Sequence, residues 1–198
     1  MDLGILQWIN ANLHGSGFVN QIFKYLTYLG EKGIIWIAVG LLLLCFKKTR
    51  KGGFLLLISL GIGVLLNNFI IKPLVARPRP FAADPALADF ITSIGLKLPT
   101  DYSFPSGHTQ IAINAAVFLT IFFKGKGAWS WIPAILIATS RVFLCVHYPT
   151  DVLAAMAIGA VVAALVATLG RKLLDKLIKL WQDAGEKKKE EKQQTEQQ

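Results

Sequence analysis

Five apolar stretches, residues 33–46, 54–71, 109–123, 129–146 and 152–170, recur along this chain with only short polar connections between most of them. A bilayer span needs about 17–25 mostly apolar residues, and shorter ones are completed by snorkelling ends or local thinning. Hydrophobic residues make up 54% of the 198 and the mean hydropathy is +0.50, too apolar for an ordinary soluble domain. Lipid offers no hydrogen bonds, so the backbone must satisfy its own within each segment. The fold class expected is all-α: a polytopic membrane bundle of five to six transmembrane helices. Residues 3–13 and 18–29 are apolar on one side but carry Asn10, Asn12, Asn20, Gln21 and Lys24, costly groups at a bilayer centre. They are expected to be interfacial helices with Trp8 and Tyr25 near the headgroups, and a sixth span at about residues 16–30 is the alternative. Three parts follow: an N-terminal interfacial region (1–32), a membrane domain (33–170) and a basic tail (171–198).

The formal net charge of +9 is unevenly placed. Lys47, Lys48, Arg50 and Lys51, then Lys124 and Lys126, then Arg171, Lys172, Lys176 and Lys179 all fall on one side if the spans alternate. The positive-inside rule makes that side cytoplasmic in a cell membrane and the other side extracellular or periplasmic. The charge is therefore an orientation signal, and without an aromatic-interleaved basic stripe it predicts no nucleic-acid partner. The start shows no basic segment leading into a short apolar run and cleavage site, so a removable signal peptide is not expected. From Gly185 onward the charged, Gln-rich run has no apolar face and is expected to be a disordered cytoplasmic tail. Cys45 and Cys145 fall on opposite sides, too far apart for a disulfide, and neither has a His or Cys at metal-ligand spacing.

The same alternation brings distant polar residues to the external face. Lys72 ends an ascending span, with Arg79-Pro80 just beyond it; His108 opens the next descent, and His147 ends the following ascent. Ser106-Gly107-His108 precedes a helix, where unpaired backbone N–H groups and the helix dipole favour an anion, and Gly107 allows close approach. Arg79 and Arg141 can grip phosphate oxygens in bidentate fashion, and Lys72 adds a point charge. Pro78 and Pro80 stiffen the segment carrying Arg79. His147 and Asp151 are four apart across Pro149, which suits a first helical turn in which the carboxylate fixes the imidazole tautomer. Taken singly, a membrane-edge His is a packing group and a basic residue at a span end is a topology anchor. The convergence of eight polar groups is what solvation does not explain. His14 is expected to be without partners. Arg77 is discounted, because Arg77-Pro78 and Arg79-Pro80 repeat one dipeptide and only one need be catalytic. Asp84 and Pro85 are expected to open a short helix whose Leu87, Phe90, Ile91 and Ile94 share a face, with Gly95 ending it, either a surface helix beside the pocket or a plug.

Lys72-x6-Arg79-Pro80, Pro105-Ser106-Gly107-His108 and Ser140-Arg141-x5-His147-x3-Asp151 together resemble the three-part signature of the type 2 phosphatidate phosphatase superfamily. These are membrane lipid phosphate phosphatases related to vanadium haloperoxidases. The resemblance covers roughly residues 33–170 and departs only at the start of the chain, where many members have a clear first span. It implies two-step hydrolysis with no metal and no cofactor: His147 attacks phosphorus, Asp151 orients it, and His108 protonates the leaving oxygen and then assists water. Lys72, Arg79, Ser106, Gly107 and Arg141 would bind the phosphoryl oxygens. The sequence has no acidic cluster for paired magnesium ions, and the run from Cys45 to Arg50 lacks the spacing of a cysteine phosphatase loop. The implied partners are membrane lipids and a lipid phosphate presented on the outer leaflet. Undecaprenyl diphosphate fits that topology first, with phosphatidylglycerol phosphate and phosphatidate as competitors. A vanadate-dependent oxidase and a non-catalytic lipid-phosphate binder or transporter remain the readings of other classes.

Overall fold

The computed structural model describes residues 2–196, and these form helices joined by turns and short loops. The longer ones, in chain order, are α1 (Asp2–Leu13), α2 (Gly17–Leu29), α3 (Ile34–Leu44), α4 (Arg50–Leu65), α5 (Pro85–Ser93), α6 (Gly107–Phe122), α7 (Trp131–Phe143), α8 (Pro149–Leu165) and α9 (Arg171–Glu196). The protein is an all-α membrane protein. Three helical runs, Gly17–Leu44, Arg50–Ala83 and Pro149–Glu186, are long and apolar enough to cross a bilayer, and α6 and α7 belong to shorter apolar helices.

The centre is α6. A helix that is apolar all round belongs in a core, and Ala112, Ile113, Ala115, Ala116, Phe118 and Leu119 are all buried. Its neighbours α3, α4, α7 and α8 surround it, contributing Trp36, Leu56, Ile137 and Ala163 to one continuous core. Between membrane helices the hydrophobic effect gives little drive, so close packing and internal hydrogen bonds matter more. A Cβ on Gly159 of α8 would lie 2.5 Å from the Gln110 carbonyl oxygen, and one on Gly53 of α4 would lie 2.6 Å from that of Gly40 in α3. In the interior, Ser59 donates to Asn114 Oδ1 at 2.7 Å, joining α4 to α6.

The end of the bundle at which α6 begins is closed by α1, α2 and α5. Asp84 caps α5 by accepting from the Ala86 N–H at 3.0 Å, and Gly95 at φ +74 follows its end. Leu87 and Ile91 are fully buried, packed in clusters with Leu6, Phe143 and Val146, so α5 covers apolar surface. Two of the α2 residues that argued for an interfacial position donate to carbonyls inside the protein. Asn20 donates to the His14 carbonyl at 3.0 Å and Lys24 to that of Ile94 at 2.7 Å. Lys32 and Gly33, both at positive φ, break the chain between α2 and α3. His14 is not partnerless as expected: it stacks on Phe90 at 3.4 Å and contacts Asn10 Oδ1 and the Phe143 carbonyl. The tail is also corrected, because α9 continues to Glu196 where disorder was expected from Gly185.

Candidate active site

At the N-terminal end of α6 lies a cavity of about 670 Å³, lined among others by Lys72, Arg79, Gly107, His108, Arg141 and His147. Each arrives by a local device. A π-helical turn, Leu66–Ile71, precedes Lys72, a distortion frequent at functional sites. Arg79 is extended between its two prolines. Cys145 at φ +55 turns the chain out of α7 toward His147. Pro149 opens α8 and places Asp151 in its first turn.

The geometry sorts the predicted residues into two layers. Six of the eight line the cavity, while Ser106 and Asp151 lie fully buried behind it. Ser106 precedes α6; its hydroxyl accepts from Thr109 at 3.0 Å and its N–H reaches the Asp151 carbonyl at 3.3 Å. Asp151 Oδ2 accepts from Ser103 Oγ at 2.5 Å and from the Tyr148 N–H at 3.0 Å, and lies 3.6 Å from His147 Nδ1. On the other side of the ring, His147 Nε2 is 3.3 Å from Arg79 Nη1, which also donates to the Val146 carbonyl at 2.8 Å. Burial pushes His147 down to about 3; Asp151 opposes the shift and Arg79 and Arg141 add to it. Burial therefore favours the neutral imidazole at physiological pH, with Nε2 facing the Arg79 guanidinium. His108 Nε2 lies 3.4 Å from Glu31 Oε2.

Several residues at this site carried no sequence signal. Asp101 pairs with Lys72 and, at 2.5 Å, with Arg79 Nη2. Burial alone would raise its carboxyl, but these two cations outweigh that and hold it at about 2. Thr27 of α2 accepts a hydrogen bond from Arg141. Asn67 and Gln110, both buried, line the cavity next to the cations. Their amides look like packing residues in any apolar helix, and Asp101 sits in a loop and Glu31 in a single 3-10 turn, neither with a motif.

A pocket that sets a neutral histidine, backed by a buried carboxylate, among Lys72, Arg79 and Arg141 has the chemistry of phosphoryl transfer. A family model described as the PAP2 superfamily matches residues 52–175. The chain belongs to the PAP2 superfamily. Among its relatives, an undecaprenyl-diphosphatase of Sulfolobus acidocaldarius is 37% identical over 153 residues, covering 74% of this chain and 68% of that protein. A decaprenylphosphoryl-5-phosphoribose phosphatase of Mycobacterium tuberculosis is 33% identical over 151 residues, covering 73% and 77%. The crystal structure of a transmembrane PAP2 type phosphatidylglycerolphosphate phosphatase from Bacillus subtilis superposes with a TM-score of 0.69 at 26% identity, covering 86% of this chain and 85% of that one.

Proposed function

We propose that this PAP2 protein is an integral-membrane lipid phosphate phosphatase working through a phosphohistidine, with residues 33–170 as its catalytic unit. The observation that carries the reading is His147 itself: one ring nitrogen faces Asp151 at 3.6 Å and the other faces Arg79 at 3.3 Å. In the first step His108 takes up a proton as the anionic substrate binds beside it, Nε2 of His147 bonds to phosphorus as the bond to the leaving oxygen breaks, and His108 passes that proton to the leaving oxygen. In the second step His108 takes a proton from water, the resulting oxygen bonds to phosphorus, and the N–P bond breaks to release phosphate. Asp151 holds the proton on Nδ1 and offsets positive charge on the ring. Lys72, Arg79 and Arg141, with the backbone around Ser106 and Gly107, bind the phosphoryl oxygens and stabilise the charge that builds on them. These three cations supply the charge that a metal supplies in other phosphatases, so no metal is required.

The substrate favoured is undecaprenyl diphosphate, the named substrate of the 37% identical relative, with phosphatidylglycerol phosphate as the alternative suggested by the Bacillus subtilis structure. The basic clusters at the opposite ends of the spans support a multi-pass cell-membrane protein with its site facing outward. The test is phosphate release in lipid nanodiscs containing EDTA, from undecaprenyl diphosphate, phosphatidylglycerol phosphate and phosphatidate. Turnover that resists EDTA and disappears in His147→Ala is expected. Turnover that EDTA abolishes, or that survives the substitution, overturns the mechanism.

A further inference from the structure

Arg77 and Arg79 belong to the same tandem dipeptide, yet they grip opposite sides of the turn that carries His147. Arg79 reaches it from the cavity. Arg77 Nη1 donates to Asp151 Oδ1 at 2.6 Å and to Thr150 Oγ1 at 2.8 Å, from behind the carboxylate. Its guanidinium lies over the Tyr148 ring, 3.8 Å from the centroid. Arg77 Nη2 then reaches Asp2 Oδ2 of α1 at 2.9 Å, and Asp2 also accepts from Thr150. The helix that brings Asp2 here is seated by Leu6 and Ile9, buried with Leu87, Cys145 and Tyr148.

We propose that Arg77 is a positioning residue for the phosphatase reaction, and that the row Asp2, Arg77, Asp151 sets both the aim and the basicity of His147. The inference rests on His147 being the nucleophile. Asp151 Oδ2 is the oxygen facing His147, and Ser103 and the Tyr148 N–H already donate to it. By taking Oδ1, Arg77 fixes the rotation of the carboxylate and leaves Oδ2 directed at the ring. It also places a cation behind a carboxylate that would otherwise act on the imidazole uncompensated. Asp2 in turn draws part of that cation's charge away. The row thus acts as a graded electrostatic support, and the two members behind Asp151, Arg77 and Asp2, have opposite signs.

Other charged groups face the pair and are constant in the comparison: Arg79 and Asp101 from the loops, Arg141 from α7, His108 from α6 and Lys72 beyond the π-helical turn. Removing Arg77 makes the Asp151 charge more strongly felt, so His147 holds its proton to higher pH. The acidic limb of kcat/KM then moves up by about one pH unit. Because Arg77 lines no part of the cavity, the loss falls on kcat, about tenfold, with KM nearly unchanged. Removing the charge of Asp2 leaves Arg77 wholly committed to Asp151, and the limb moves the opposite way.

The experiment is the pH dependence of kcat/KM in nanodiscs for wild type, Arg77→Gln, Arg77→Lys, Asp2→Asn and His147→Ala, with thermal unfolding of each. Expected are an upward shift in Arg77→Gln, its partial reversal in Arg77→Lys, a downward shift in Asp2→Asn, and no turnover in His147→Ala. If His147→Ala is inactive while Arg77→Gln and Asp2→Asn keep the wild-type profile, or move it in the same direction, Arg77 is only a structural tie and the inference falls alone. If His147→Ala still turns over, the nucleophile and this inference fall together. Should Arg77→Gln not fold, the sign of the shift in Asp2→Asn decides, and a profile that does not move downward overturns the proposal.

Discussion

Asp101 pairs with the two cations proposed to bind the substrate phosphate, and replacing it by Asn tests how the pocket manages that competition. Its carboxyl sits at about 2 against an ordinary 3.8. At about 1.4 kcal/mol per unit that shift corresponds to roughly 2.5 kcal/mol of interaction with Lys72 and Arg79. The carboxylate side chain is 53% exposed, so solvent screening reduces the figure to about 1 kcal/mol. An incoming phosphate must displace this contact, and about 1 kcal/mol is roughly a fivefold change in affinity. Asp101→Asn keeps the backbone carbonyl that accepts from Arg79 Nε at 2.9 Å, so the substitution isolates the charge. Orthophosphate should inhibit the variant with a Ki about fivefold lower than wild type. The sign with pH follows from the depressed pKa: the contact is fully present above 3.8 and is lost only as pH falls through about 2. The ratio of the two Ki values should therefore be flat from pH 5 to 8. An unchanged or higher Ki in the variant would mean that Asp101 arranges the cations for phosphate instead of competing with it.

Gly159→Ala should lower the melting temperature in detergent by several degrees, because its Cβ would meet the Gln110 backbone carbonyl at 2.5 Å and overpacking of this kind costs about 1–3 kcal/mol; an unaltered melt would show that α6 and α8 can separate freely. Asp175→Asn removes the partner of Lys51 at 2.7 Å, and since both groups are exposed the melting temperature should stay within experimental error; a fall of several degrees would give that pair an anchoring role for α9.

What was legible in the sequence and what was not divide along a physical line. The residues proposed to touch a phosphate could be singled out, because that chemistry restricts them to a few residue types and the alternation of spans dictates which ends can meet. Six of them do line one cavity. The spans were readable for a related reason, since lipid forces apolar length, although the second runs on through its π-helical turn to Val75. The supporting residues were not readable. Arg77 and Arg79 stand in identical dipeptides, and only the path of the chain past the turn from His147 to Asp151 sends one into the cavity and the other behind the carboxylate. Asn20 and Lys24 were read by their transfer cost into lipid, a cost that falls once internal carbonyls accept their hydrogen bonds. Asp101 shows the same limit from the opposite side: a lone acid in a loop has no pattern, and its depressed pKa exists only because two distant cations close on it. Composition and motif specify which atoms do chemistry, whereas the strength with which each is held depends on contacts between segments far apart in the chain. The order of effects expected at this site follows: substitutions at His147 remove the reaction, and those at Arg77 and Asp101 retune it.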